Sequence, residues 1–218
     1  MSERRSPRIA SRKQPRQARS TELVAAILDA AVQVLAKEGA QRFTTARVAE
    51  RAGVSVGSLY QYFPNKAAIL FRLQSDEWRQ TGEMLRGILE DSRQSPLARL
   101  RTLVHAFVRS ECEEAAVRTA LSDAAPLYRD APEAREAKAA GECIFQAFME
   151  DVLPDASNEA RALAVDLVTT TLGAVGKQFS EAPRTEEEIE RYAGAMADMF
   201  CAYLGALGGE RVEGQGSA

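Results

Sequence analysis

Along almost the whole chain apolar residues recur every three or four positions, and nowhere is there a convincing apolar/polar alternation, so the pattern predicts helices and no strands. The first helix is expected from a Ser20 cap to Gly39, burying Leu23, Ile27, Ala30, Ala31 and Val34. Two very short helices follow. Thr44 is a good N-cap, with Phe43 before it and Val48 at the fourth helical position, the spacing of a hydrophobic staple; Gly53 ends that helix. Ser55 repeats the device with Val54 and Leu59, and Pro64 and Asn65 close the third helix and open the next. Two one-to-two-turn helices joined through Ala52, Gly53 and Val54 have the spacing of a helix-turn-helix. A long fourth helix then runs from 66 to about 89. Further apolar stripes cover 97–114, a broken stretch to 129, 133–152, 158–179 and 186–207, with Pro96, Pro126, Pro132, Pro154 and Pro183 between or at the edges of them.

On a helical wheel of the third helix Leu59 and Phe63 face inward while Gly57 and Gln61 point the opposite way, flanked by Ser58, Tyr60 and Tyr62. An uncharged, small-residue ridge with polar-tipped aromatics at its sides suits a DNA major groove, where a glutamine amide can make two hydrogen bonds to adenine. Gln61 is therefore the candidate base reader, and the tyrosine hydroxyls and Lys66 are candidates for phosphate. Taken singly, either tyrosine could equally be a packing aromatic.

Charge changes the picture only when it is placed along the chain. The net charge is −3, yet residues 1–66 hold 12 basic and 5 acidic side chains, leaving 16 basic and 26 acidic for the remainder. Residues 1–19 read as a disordered basic arm carrying Arg4, Arg5, Arg8, Arg12, Lys13, Arg16 and Arg19, suited to a phosphate backbone. The longest run without a charged residue, Ala52 to Asn65, is 14 residues and broken by Gly, Ser and Pro, too short to span a bilayer. No secretory signal opens the chain and its three cysteines are widely spaced, which points to the cytoplasm. One histidine, no nucleophile elbow and no acid–base pair argue against an enzyme. The absence of CxxC pairs and His clusters predicts no metal and no cofactor, and Glu111, Glu113 and Glu114 around Cys112 disfavour a thiolate there.

The stretch from Thr44 through Gly53, Ser55, Gly57, Leu59, Tyr60, Phe63 and Pro64 to Lys66, together with the first helix, resembles the DNA-binding signature of the TetR (tetracycline-repressor) family over residues 20–72. The resemblance implies an all-α homodimer of about nine helices per chain, a helix-turn-helix head followed by a ligand-binding and dimerisation body. It implies phosphate contacts from Thr45 and Arg47, base contacts from Val56, Gly57, Ser58 and Gln61, and backbone anchors at Tyr60, Tyr62 and Lys66. Ala46 stands where some relatives carry a basic residue. The implied division is a basic arm over 1–19, the DNA-binding domain over 20–66, the ligand-binding and dimerisation domain over 67–208 and a disordered tail over 209–218. A small-molecule effector, apolar or aromatic, would meet Trp78, His105, Phe107, Phe145 and Phe148, although apolar residues at helical spacing commonly serve as core. A four-helix dimer interface would draw on Leu172, Val175, Phe179, Tyr192, Met196, Phe200 and Tyr203, the alternative being a monomer core. Repression of a palindromic operator is the expected activity; activation, or binding driven by charge alone, are the alternatives.

Overall fold

The computed structural model describes residues 18–128, 132 and 144–209, with side chains from Ser20 onward. Residues 1–17 of the expected basic arm, residues 133–143 with Cys143, and the tail beyond 209 lie outside the described residues, while Ala18 and Arg19, expected at the end of the disordered arm, are helical. Within them the chain is all helix: α1 Ala18–Arg42, α2 Thr45–Arg51, α3 Val56–Tyr62, α4 Lys66–Leu89, α5 Pro96–Glu113, α6 Ala115–Ala124 with a 3-10 turn at Ala125–Leu127, α7 over 144–152, α8 Asn158–Ser180 and α9 Glu186–Gly209. Among the described residues no helix is long and apolar enough to cross a membrane.

Residues 18–79 and 116–128 form one compact unit, and 80–115 and 144–209 form another. The division falls inside α4, which gives its first half to one unit and its second to the other, rather than at the start of α4.

The first unit is built on short-range signals. Gly39, at φ 71°, breaks α1 before a last turn that ends at Arg42. Thr44 caps α2 with its hydroxyl accepting from the Arg47 amide, and Ser55 caps α3 by accepting from the Ser58 amide at 3.0 Å. Gly53, at φ 67°, makes the left-handed turn between them, a conformation a Cβ would strain. Phe43, Val48 and Leu59 of the two staples are fully buried in one core with Ile27, Leu35, Phe63, Ile69 and Leu70. Ser20 is not the cap of α1: the helix already runs from Ala18, so Ser20 lies inside it. Leu23 is correspondingly only half-buried, and Val24 takes the inward position.

A polar clasp ties α6 to α4 within this unit. The Tyr128 hydroxyl donates to the Leu121 carbonyl at 3.0 Å and to Gln74 Oε1 at 3.2 Å. Gln74 in turn donates to Glu77 at 2.9 Å, and Glu77 pairs with Arg118 at 3.1 Å. Burial, with Glu77 nearby, pushes the Tyr128 phenol up from its ordinary range.

In the second unit α5 packs against both α8 and α9. Its Leu100, Leu103, Val104 and Val108 share a core with Met149 and Leu153, with Val168 and Leu172 of α8, and with Ala193, Met196, Phe200 and Leu204 of α9. At Gly176 of α8 that helix and α5 come close: a Cβ there would meet Phe107 Cε1 at 3.1 Å and Glu111 Cγ at 3.4 Å. The starts of α5, α8 and α9 are each signed by a side chain. Ser95 accepts from the Ala98 amide and Ser157 from the Ala160 amide, while Thr185 and Glu188 form a reciprocal capping box at α9. The Thr185 amide on the Glu188 carboxylate holds that carboxyl below its ordinary value.

Candidate nucleic-acid interface

Leu59 and Phe63 anchor α3 in the core, and the opposite side of the helix is open: Val56, Gly57, Tyr60 and Gln61 are exposed. Next to the position a Gly57 Cβ would take, only Ser55 Oγ lies within 4 Å, at 3.7 Å, so backbone there is free for close approach. Among the described residues nothing pairs with the Gln61 amide. The Ser58 hydroxyl, by contrast, is half-buried and paired with Ser55 Oγ at 2.8 Å, so it belongs to the cap as much as to the surface.

At the flank the Tyr60 hydroxyl meets Thr45 Oγ1 at 3.1 Å, joining the start of α2 to the middle of α3 through two surface hydroxyls. Both remain able to donate or accept further, as phosphate contact requires. Lys66 is exposed at the first position of α4, whose Ala68 amide is capped by Asn65 Oδ1 at 2.9 Å. Asn65 was read from sequence only as a helix start; the cap gives the reason for it.

Two expected contacts need revision. Tyr62 is 6% exposed and its ring belongs to the head's core, whereas Tyr60 is 39% exposed. The wheel sets the two tyrosines roughly 80° to either side of the Leu59–Phe63 direction, so periodicity cannot tell which one its neighbours will cover. Arg47 is not a free cation: its guanidinium pairs with Glu38 of α1 and donates to the Arg42 carbonyl at 3.4 Å. It fastens the last turn of α1 to α2.

Trp78, half-buried, belongs to the first unit, while His105, Phe107, Phe145 and Phe148 belong to the second. His105 Nδ1 lies 2.9 Å from Glu190 Oε2 on α9 in a surface network shared with Arg109 and Glu186, which differs from a position inside an aromatic pocket. Phe145 and Phe148 are core residues, and the buried Arg99 guanidinium sits 5.6 Å from the Phe148 ring while pairing with Asp151 and the Leu89 carbonyl. Phe107 is half-buried against Gly176. Burial, with Glu111 and Glu113 adding to it, pushes the Cys112 thiol up from its ordinary value, away from thiolate reactivity.

Of the residues expected to pair two chains, Leu172, Met196 and Phe200 are buried inside their own chain, because α5 occupies that face. Val175, Phe179, Tyr192 and Tyr203 are half-buried. Phe179 stacks on Tyr192 with ring centroids 4.0 Å apart, and the Arg184 guanidinium lies 4.4 Å from the same ring. The uncovered apolar side chains lie elsewhere on these helices. Leu163 is 62% exposed, Leu167 44% and Met199 51%. With Thr170 and Ala174 on α8, and Ala195, Ala202 and Ala206 on α9, they make two exposed stripes at i, i+4, i+7, i+11 spacing. Sequence reading had Leu163 and Leu167 inside one broad stripe. The exposed alanines at heptad-like spacing were the signal that could have separated the two faces.

Residues 95–207 match a family model described as tetracyclin repressor-like, C-terminal domain, and residues 27–73 match one described as bacterial regulatory proteins, tetR family. The chain is 30% identical to the HTH-type transcriptional repressor KstR of Rhodococcus jostii over 122 residues, 56% of each chain. It is 34% identical to the fatty acid metabolism regulator protein of Bacillus subtilis over 73 residues, 34% of this chain and 36% of that one. The matches thus span between about a third and just over half of these curated relatives. Among solved structures, the transcriptional regulator FadR of Bacillus subtilis in complex with stearoyl-CoA shares the fold at a TM-score of 0.64, with 17% identity over 81% of this chain and 97% of that one.

Proposed function

The chain belongs to the TetR family of bacterial regulatory proteins, and from that premise we propose that it is a repressor that occupies a palindromic operator as a homodimer and leaves it when a small molecule enters the body. The observation that carries the DNA-binding reading is the open face of α3: Val56, Gly57 and Gln61 exposed between a cap that fixes the helix start and the Thr45–Tyr60 hydroxyl pair. In this reading Gln61 and Val56, with Gly57 and the edge of Ser58, meet base edges, while Thr45, Tyr60 and Lys66 hold phosphates and set register. The basic arm of residues 1–19 adds a sequence-independent attraction.

Homodimerisation is supported by the two uncovered stripes around Leu163, Leu167 and Met199, since single chains rarely leave such side chains aligned in water. A two-fold pair of heads about 34–36 Å apart requires a roughly palindromic site. Release follows if an effector favours a form of the body that changes the course of α4, the helix shared by both compact units. The effector is proposed to be apolar or aromatic. A long-chain acyl thioester is the first candidate to try, because a regulator of the same fold is solved with stearoyl-CoA.

Selection of bound duplexes from a random-sequence library at moderate salt tests the proposal. A recovered palindrome, with retention that falls on adding stearoyl-CoA or another ligand of that class, is the expected result. A flat library whose binding disappears as salt rises would mean association by charge alone.

A further inference from the structure

The exposed face of α3 carries no charge, and this limits which base pairs it can read. Val56 is 40% exposed, and Gly57 and Gln61 are exposed beside it. Ser58's hydroxyl is engaged with Ser55 Oγ at 2.8 Å. At the neighbouring start of α2 the Thr45 hydroxyl is paired with Tyr60, exposed Ala46 offers a methyl, and the Arg47 guanidinium is turned back onto Glu38 and the Arg42 carbonyl. Lys66 opens α4 and is not part of α3.

In the major groove guanine presents two acceptors, O6 and N7, whose usual partner is an arginine fork or a lysine. Adenine presents N7 and an N6 amine that match a glutamine amide, and thymine presents a C5-methyl that an apolar side chain covers. The described face therefore holds a partner for adenine and one for thymine, and no cationic partner for guanine. Resting on the operator-reading function proposed above, we infer that each half-site is specified at A·T pairs: the Gln61 amide reads adenine N6 and N7, and the Val56 isopropyl group covers a thymine methyl. Guanine is read nowhere on this face by a cationic fork. Any G·C preference in the operator arises outside α3, from the arm of residues 1–19 or from DNA deformability.

The test uses the full chain and its Gln61→Ala and Val56→Ala variants in parallel duplex-library selections, with unfolding midpoints measured to show that these exposed substitutions leave the head folded. The parent should recover half-sites with an invariant adenine that relaxes in Gln61→Ala, at a roughly 5- to 150-fold loss of discrimination. It should also recover an invariant thymine that relaxes in Val56→Ala. Replacing that thymine by uracil removes only the C5-methyl. The replacement should weaken the parent about fourfold, in line with one buried methyl-sized group, and weaken Val56→Ala less, since an alanine methyl covers a thymine methyl only in part. Half-sites with no invariant A·T pair that relaxes in Gln61→Ala, or equal tolerance of uracil by parent and Val56→Ala, would overturn the inference while operator reading stands. A flat parent library would overturn both.

Discussion

The two compact units differ in how their parts are specified. In the head the boundaries of α2, α3 and the start of α4 are set by residues within four positions of them: Thr44, Gly53, Ser55 and Asn65 each decide where a helix starts or stops. In the body the helices are also capped locally, but what decides their role is which face α5 covers, and α5 lies some 60 to 100 residues away along the chain from α8 and α9. Local chemistry thus fixes the presentation of the reading helix, while long-range packing decides what the body leaves exposed.

The strongest test of that contrast removes a body side chain that an interface reading and a core reading would treat differently. Phe200→Ala should lower unfolding free energy by about 3–5 kcal/mol, since the ring is 2% exposed within its own chain. Urea unfolding over a range of protein concentrations checks it. A variant as stable as the parent toward urea but monomeric by sedimentation would show that Phe200 faces a second chain. The next effect is the converse. Leu163→Glu combined with Met199→Glu should weaken association at least a hundredfold, taking about 1.5–3 kcal/mol for each large apolar group kept from burial. Sedimentation at micromolar concentration would then report a monomer that retains the parent's helical content; persistence of the dimer would move the interface off these stripes.

How much was legible follows from the same contrast. The head could be read because its signals act over three or four residues: both N-caps, both staples, the Gly53 turn and the outward placement of Gly57 and Gln61 follow from sequence spacing. Tyr62 and Arg47 could not be placed, for different reasons. The wheel gives Tyr60 and Tyr62 the same offset from the buried direction, and only packed neighbours break the tie. Arg47 finds its partner in Glu38, nine positions back and across the Gly39 break, where no helical spacing links them. In the body the helix ends at 158 and 186 were legible, but the stripes were too broad to divide. Leu172, Met196 and Phe200 were expected to face a partner and are buried in their own chain, because periodicity reports that a face is apolar and not what covers it.

Smaller effects sharpen the head side of the comparison. Thr44→Ala and Ser55→Ala should each cost about 1 kcal/mol of stability, the usual value of an N-cap hydroxyl. Ser55→Ala also releases the Ser58 hydroxyl, so its operator preference should broaden or shift more than that of Thr44→Ala. Equal preferences in the two variants would detach Ser58 from base reading.

The smallest effect concerns the surface tie between α5 and α9 in the body. Arg109 donates to Glu186 at 2.6 Å and to Glu190, and His105 Nδ1 shares the Glu190 carboxylate. The hydrogen bond from Arg109 is the main reason the Glu190 carboxyl lies below its ordinary value of about 4.5, with the neighbouring His105 adding to it. A carboxyl held low in the folded state contributes stability that is fully present above its unfolded value and is lost as pH falls through the folded value. The tie therefore weakens on acidification below about pH 4.5. Its partners are exposed and screened by salt, so the change should be small, and smaller still at high ionic strength. Glu188 titrates low in the same window through its capping box with Thr185, which makes the parent's own acid curve ambiguous. Comparison with Arg109→Gln removes that ambiguity, because the capping box is common to both. The parent's urea midpoint should fall faster than the variant's between pH 5 and pH 3, and the two curves should converge at the acid end. Parallel curves would show that the network orders side chains on the surface without contributing to the stability of the α5–α9 pair.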